Sequence, residues 1–238
     1  MAQTEAPPLP WAGWPDEIGC NFAAGHLVRN LGVPLTIEGR LHAETLMCAA
    51  GAIAGWGAHR SLIAGARAGQ QFSMVTLKDG RTMLYGDAIN DMLTSSDPRL
   101  APGCVWNNLA GTAIGHGLPR NELPELEDLF GSVTERMGGP LEGLPSTGAD
   151  HQPHGPAAAL LDHVMPVTLA CLTGEISEIT TTNNFRASET SYQIVTAWTA
   201  ANILAQCCSV MPPKVALIIG MESAIYASKL TTPYHPQV

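Results

Sequence analysis

Apolar residues recur at helical spacing over most of the chain and alternate at strand spacing in one short stretch, so helices dominate the expected fold. Segments 16–31, about 40–64, 88–93, 102–116, 124–137, 156–173, 188–210 and 213–229 read as helical. The sharpest amphipathic pattern belongs to 124–137, with Leu126, Leu129, Phe130, Val133 and Met137 on one stripe and Glu125, Glu127 and Asp128 in the first turn. Pro166 predicts a kink in 156–173, and Asp87 reads as the N-cap of the short helix that follows it.

The segment 40–64 carries Gly51, Gly55 and Gly57 among helix formers and has few charges between Glu44 and His59. Each glycine costs up to about 1 kcal/mol relative to alanine inside a helix. The offsetting gain is close approach of another backbone, which predicts a central helix surrounded by others.

Residues 71–87, Gln-Phe-Ser-Met-Val-Thr-Leu-Lys-Asp-Gly-Arg-Thr-Met-Leu-Tyr-Gly-Asp, alternate as a hairpin does. Taking Asp79-Gly80 as a two-residue turn pairs Thr76 with Met83, Val75 with Leu84 and Met74 with Tyr85. Both resulting faces are apolar, so cover on both sides is expected. The fold class is therefore α+β, mainly helical, with about seven helices and one hairpin at about 71–87. Residues 1–15, rich in proline and holding Trp11 and Trp14, read as an irregular N-terminal arm, and 16–238 as a single globular domain. Residues 138–156 form a long loop studded with glycine and proline, whose composition predicts mobility.

Composition narrows the function classes. Charged residues make up 14% of the chain and the net charge is −9, with only three lysines, so nucleic acid is not an expected partner. No segment reads as a secretory signal or a membrane span, which points to a cytoplasmic protein with no membrane partner. Six dispersed cysteines without a Cys-x-x-Cys motif read as buried small hydrophobes. Low charge and apolar hairpin faces suggest that a second copy covers part of the surface, making a homodimer.

Chemistry concentrates in two places. Asp150, His151 and His154 lie in the long loop, with Asp162 and His163 shortly after. No cofactor is expected; the alternative is zinc or iron, for which two imidazoles and a carboxylate are common ligands, with Asp150, His151 and His154 as the candidate metal set. The second constellation is His42, Glu44 and Cys48, where Glu44 and Cys48 share a helix face. A buried cysteine beside a helix start is the plainer reading of Cys48. Arg60 and Asp87, flanking the hairpin, read as helix-end residues, and neither a phosphate loop nor a nucleophile elbow occurs. The expected function is accordingly a small-molecule-binding or regulatory protein without catalytic motifs. Its alternative is a metal-assisted or acid–base enzyme using His151 and His154 with Asp150 or Asp162.

Overall fold

Helix α2, Ala43–Ala64, is buried continuously from Glu44 to Leu62. An all-round apolar helix of this kind is stable only when other elements enclose it. A computed structural model of the chain, describing residues 16–65, 73–77, 80–96, 101–175 and 187–231, shows how this is done. Around α2 lie α3 (Asp87–Thr94), α6 (Ala157–Thr173), α7 (Tyr192–Cys207) and α8 (Pro213–Ser228), with α7 and α8 making the broadest contacts, while α1 (Asp16–Asn30) packs on α7 and α6. Helix α4 (Val105–Gly115) packs on α7 and α8, and α5 (Leu126–Arg136) closes over α8. The fold is α+β and mainly helical, with eight α-helices and one two-stranded hairpin among the described residues. Among these residues no helix is long and apolar enough to cross a membrane.

The glycines of α2 explain the closeness of its neighbours. A β-carbon on Gly51 would collide with the backbone of Gly220, and one on Gly55 with the backbone of Ala224, both on α8. Gly57 faces Thr196 and the Tyr192 carbonyl on α7 in the same way. Small residues four apart on both helices let the α2 and α8 backbones touch, which brings the start of α2 under the loop that follows α5. Trp56, 2% exposed, stacks on Tyr192 at a ring separation of 5.6 Å and fills the wider part of the α2–α7 contact.

Helix α5 buries Leu129 and Val133, with Leu126, Phe130 and Met137 packed partly against the core, as its stripe requires. Pro166 lies inside α6 without ending it. Asp87 is the first residue of α3, preceded by Gly86 in the capping position, and no side chain caps that helix.

The hairpin comprises β1 (Ser73–Thr76) and β2 (Thr82–Tyr85), but its register differs by one residue from that of a two-residue turn. Thr76 pairs with Thr82, Val75 with Met83, Met74 with Leu84 and Ser73 with Tyr85. The Gly80 N–H donates to Leu77 O at 3.0 Å and the Leu77 N–H to Arg81 O at 2.8 Å. Three residues thus separate the bonded Leu77 and Arg81, and Gly80, the last of them, lies in the left-handed region at φ 84°. The glycine occupies the last loop position, and this extra residue shifts every pair.

Cover is also unequal. Met83 and Leu84 are buried, whereas Met74 and Val75 are 68% and 43% exposed. Strand β2 is the inner strand because the chain leaving α8 lies along its other edge: Leu84 N–H donates to Lys229 O, and Met83 bridges Leu230. The expected N-terminal arm, Phe72 and the Lys78-Asp79 part of the turn lie outside the described residues.

Candidate functional site

The two constellations read separately in the sequence meet at the start of α2. His42 precedes the helix in extended conformation, and Glu44 lies in its first turn, where the N-terminal dipole favours a negative charge. Residues 149–151 form a single 3-10 turn that sets His151 over this end. His151 Nδ1 lies 2.9 Å from Glu44 Oε1, and His42 Nε2 lies 3.1 Å from Oε2. The carboxylate is held between two imidazoles. His154 stacks flat on His42, with centroids 4.1 Å apart and planes within 8°.

Thr45 completes the group. Its Oγ1 is 2.9 Å from His42 Nδ1 and accepts the His154 backbone N–H at 3.0 Å. The side chain of Glu44 is 12% exposed, against 34% and 32% for His42 and His151, so the carboxylate is the floor and the imidazoles the rim. Burial pushes the Glu44 carboxyl up, but the hydrogen bond from His151, together with the backbone and the nearby imidazoles, outweighs it and holds the group below its ordinary range. Glu44 is therefore ionised at neutral pH.

The long loop is hydrogen-bonded to its surroundings at several points. Ser146 donates through both N–H and Oγ to Glu222 on α8, each at 2.6 Å. Glu142 accepts a two-pronged bond from Arg81 at 2.6 and 2.8 Å, the Tyr226 hydroxyl at 2.6 Å and the Gly138 N–H at 2.7 Å. The bond from Arg81 is the main reason its carboxyl falls to about 2. Within the loop the Thr147 hydroxyl donates to His151 O at 2.6 Å, and Gln152 Nε2 donates to Thr147 O. These bonds fix the backbone on either side of His151.

Other candidates separate from this group. Asp150 is exposed on the same 3-10 turn, while Asp162 stands at a cleft with Arg81, and neither is the carboxylate beside the imidazoles. His163 Nε2 bonds Pro34 O at 2.8 Å. Among the described residues no three His, Cys, Asp or Glu side chains are placed to hold a metal ion together. Cys48 is fully buried against α8, where the Ser223 hydroxyl meets its sulfur at 3.2 Å, and burial pushes its thiol up to about 12. Cys207, whose thiol faces Ala43 O at 3.6 Å, is also pushed up to about 12 by burial. Neither cysteine supplies a thiolate near neutrality. Arg60 pairs with Glu189 at 2.8 Å, and Asp87 stays exposed at its helix start.

The sequence singles out His42, Glu44, His151 and His154 but not Thr45, and it offers His151 a carboxylate only from its own neighbourhood. The separation of 107 positions along the chain between Glu44 and His151 leaves no local signal for their pairing. The chain matches no protein-family model, no curated protein and no solved structure.

Proposed function

We propose that the chain is an acid–base enzyme in which His151 is the proton-transfer group and Glu44 its orienting carboxylate. The observation that carries this reading is the 2.9 Å contact between His151 Nδ1 and the ionised Glu44. A carboxylate accepts and never donates, so Nδ1 carries the proton of the neutral ring and the Nε2 lone pair is left for a substrate. The pair has the roles of base and orienter familiar from hydrolytic sites, and an imidazolium formed at His151 is stabilised by the charge it faces. Since the nearby cysteines stay protonated, the group activated is water or a hydroxyl of the substrate itself. In the return step the imidazolium gives its proton to the leaving group.

The test is hydrolysis of p-nitrophenyl acetate by the full chain. Wild-type protein should exceed His151→Ala by about 100-fold or more, in the range expected of a positioned base. Equal rates would overturn the assignment.

A binding or regulatory role is the second reading. A cleft of about 350 Å³ bounded by Arg81, Met83, Asp162 and Leu230 has the size of a small-molecule site and supports it. Exposed Val33, Ile37 and Leu41 fit a homodimer, and six cysteines outside any disulfide fit a reducing, cytoplasmic setting. Sedimentation at micromolar concentration checks the dimer, since a mass of one chain would remove it.

A further inference from the structure

We infer that Glu222, on the face of α8 turned away from α2, is a positioning residue that sets His151 against Glu44. The inference rests on the acid–base reading of His151 and concerns how the loop that carries it is held in place. Glu222 is the only acidic residue of α8 and is 3% exposed, and a carboxyl group is costly to bury without partners. Its partners come from the loop and from α5. Ser146 donates to it through both N–H and hydroxyl, each at 2.6 Å, and Ser132 of α5 bonds it as well.

Residues 143–157 close on themselves as an Ω-loop. The Ala157 N–H donates to Gly143 O at 2.8 Å and joins the two ends. Gly143 takes φ 73°, and a β-carbon there would meet Tyr226, Pro156 and Ala157 within 3.4 Å, so the base is tightly packed. Inside the loop Gln152 Nε2 donates to Pro145 O and Thr147 O, the Thr147 hydroxyl to His151 O, and the His151 N–H to Gly148 O. A loop braced across its own middle turns as a unit, so the bonds that hold it from outside decide where His151 stands.

Those outside bonds fall at two ends. At the tip the His154 N–H donates to Thr45 Oγ1, and His151 meets Glu44. Near the base Arg136 Nη1 of α5 donates to Leu144 O at 2.8 Å, and Ser146 makes its two bonds to Glu222. Glu142 holds the chain just ahead of the loop. Among the described residues Glu222 is the anchor of the loop itself that belongs to the helix fixing α2. Gly220 and Ala224, two positions to either side of it, are the residues that touch Gly51 and Gly55. At about 100° per residue, position 222 points about 200° away from both. One rigid helix thus grips α2, which carries Glu44, with one face and the loop, which carries His151, with the other.

The test is amide hydrogen exchange on the full chain, read together with hydrolysis. Glu222→Met keeps the length of the side chain and removes both acceptors. The amides of Ser146 and His154, at opposite ends of the loop, should then exchange about tenfold faster or more, the effect of losing one hydrogen bond, while those around Gly51 and Gly55 keep their rates. Glu222→Gln retains an acceptor for the Ser146 N–H and a partner for its hydroxyl, and it should restore protection at both amides. In the same variants kcat for p-nitrophenyl acetate should fall about tenfold or more with methionine, as misplacement of a catalytic group does, and recover with glutamine, with KM little changed. Faster exchange at Ser146 with His154 unchanged would make Glu222 a local contact and overturn the inference. A glutamine variant no better than methionine would overturn it too, since charge and not the paired bonds would then matter. Exchange needs no substrate. If the wild-type chain leaves the ester intact while the amides behave as stated, the acid–base reading fails and the placement of the loop by Glu222 stands. Should Glu222→Met not fold, Ser146→Ala removes one of the two bonds from the exposed side, and unchanged exchange at His154 in that variant would overturn the inference.

Discussion

Gly55 on α2 lies directly against the Ala224 backbone on α8, with no room for a side chain between them. The same fit recurs one turn earlier between Gly51 and Gly220. This contact sets the depth at which α2 sits and hence the position of His42, Glu44 and Thr45 at its N-terminal end. Gly55→Ala should destabilise the fold by about 3 kcal/mol, at the upper end of overpacking costs because the obstacle is backbone and not a movable side chain. Thermal unfolding checks it against Gly111→Ala. Gly111 is an exposed helical glycine with open space at its β-carbon, so that variant should gain up to about 1 kcal/mol. Equal effects at the two positions would contradict the packing argument.

Gly80 closes the hairpin at φ 84°, and nothing lies within 4 Å of the place a β-carbon would take, so the cost of replacing it is conformational and not steric. Gly80→Val should lose about 1–2 kcal/mol and Gly80→Asn distinctly less, since asparagine tolerates the left-handed region. Chemical denaturation of the two variants separates these outcomes.

How much of the fold is readable from the sequence varies by element. The enclosure of α2 is legible because three glycines in a helix-forming segment have few uses other than close packing. The hairpin is legible in place but not in register: Asp-Gly reads as a two-residue turn, and sequence alone does not show that Gly80 serves as the last of three loop residues. Among the described residues half of its expected cover is missing because β1 is the outer strand, a fact fixed by residues 229–231 far along the chain. At the site, His151 and Glu44 are each visible as reactive types. Their pairing is not, because it depends on how the loop after α5 is pinned by Glu142 and Glu222. Adjacency favours Asp150, which the 3-10 turn leaves exposed.

Acid should loosen the loop through Glu142. Its folded value of about 2 lies below the ordinary 4.5, so the folded state binds the proton less readily. The stabilisation is fully present above about pH 4.5 and is lost as pH falls from there towards 2. Arg81 is 47% exposed, so solvent screening brings the contribution down to on the order of 1–2 kcal/mol. Urea titrations between these pH values should show a slope in wild type that Glu142→Gln lacks.

Lys229 gives a slope of the same sign at high pH, from desolvation of a cation. It is 4% exposed, with its ammonium 5.0 Å from the Tyr85 ring centroid and 5.6 Å from that of Phe130, and burial lowers it from 10.5 to about 8. Between these values the unfolded chain binds the extra proton, so this residue makes stability rise with pH from about 8 to 10.5. Lys229→Met should remove that rise while keeping the fold at pH 7, where an uncharged side chain of similar length avoids the desolvation cost. A variant that retains the rise would show that another group causes it.

Whether Glu44 orients His151 so that Nε2 is its free basic nitrogen is decided by site-resolved carbethoxylation with diethyl pyrocarbonate. The reagent attacks unprotonated ring nitrogens, and His42 and His151 have nearly equal side-chain exposure, 34% and 32%, so accessibility does not separate them. Both ring nitrogens of His42 are engaged, Nδ1 by the Thr45 hydroxyl and Nε2 by Glu44, whereas His151 meets Glu44 through Nδ1. Peptide mass spectrometry over a time course at pH 7 should show His151 modified several-fold faster than His42, with the difference shrinking in Glu44→Gln. Equal rates at the two histidines, or faster reaction at His42, would contradict the account.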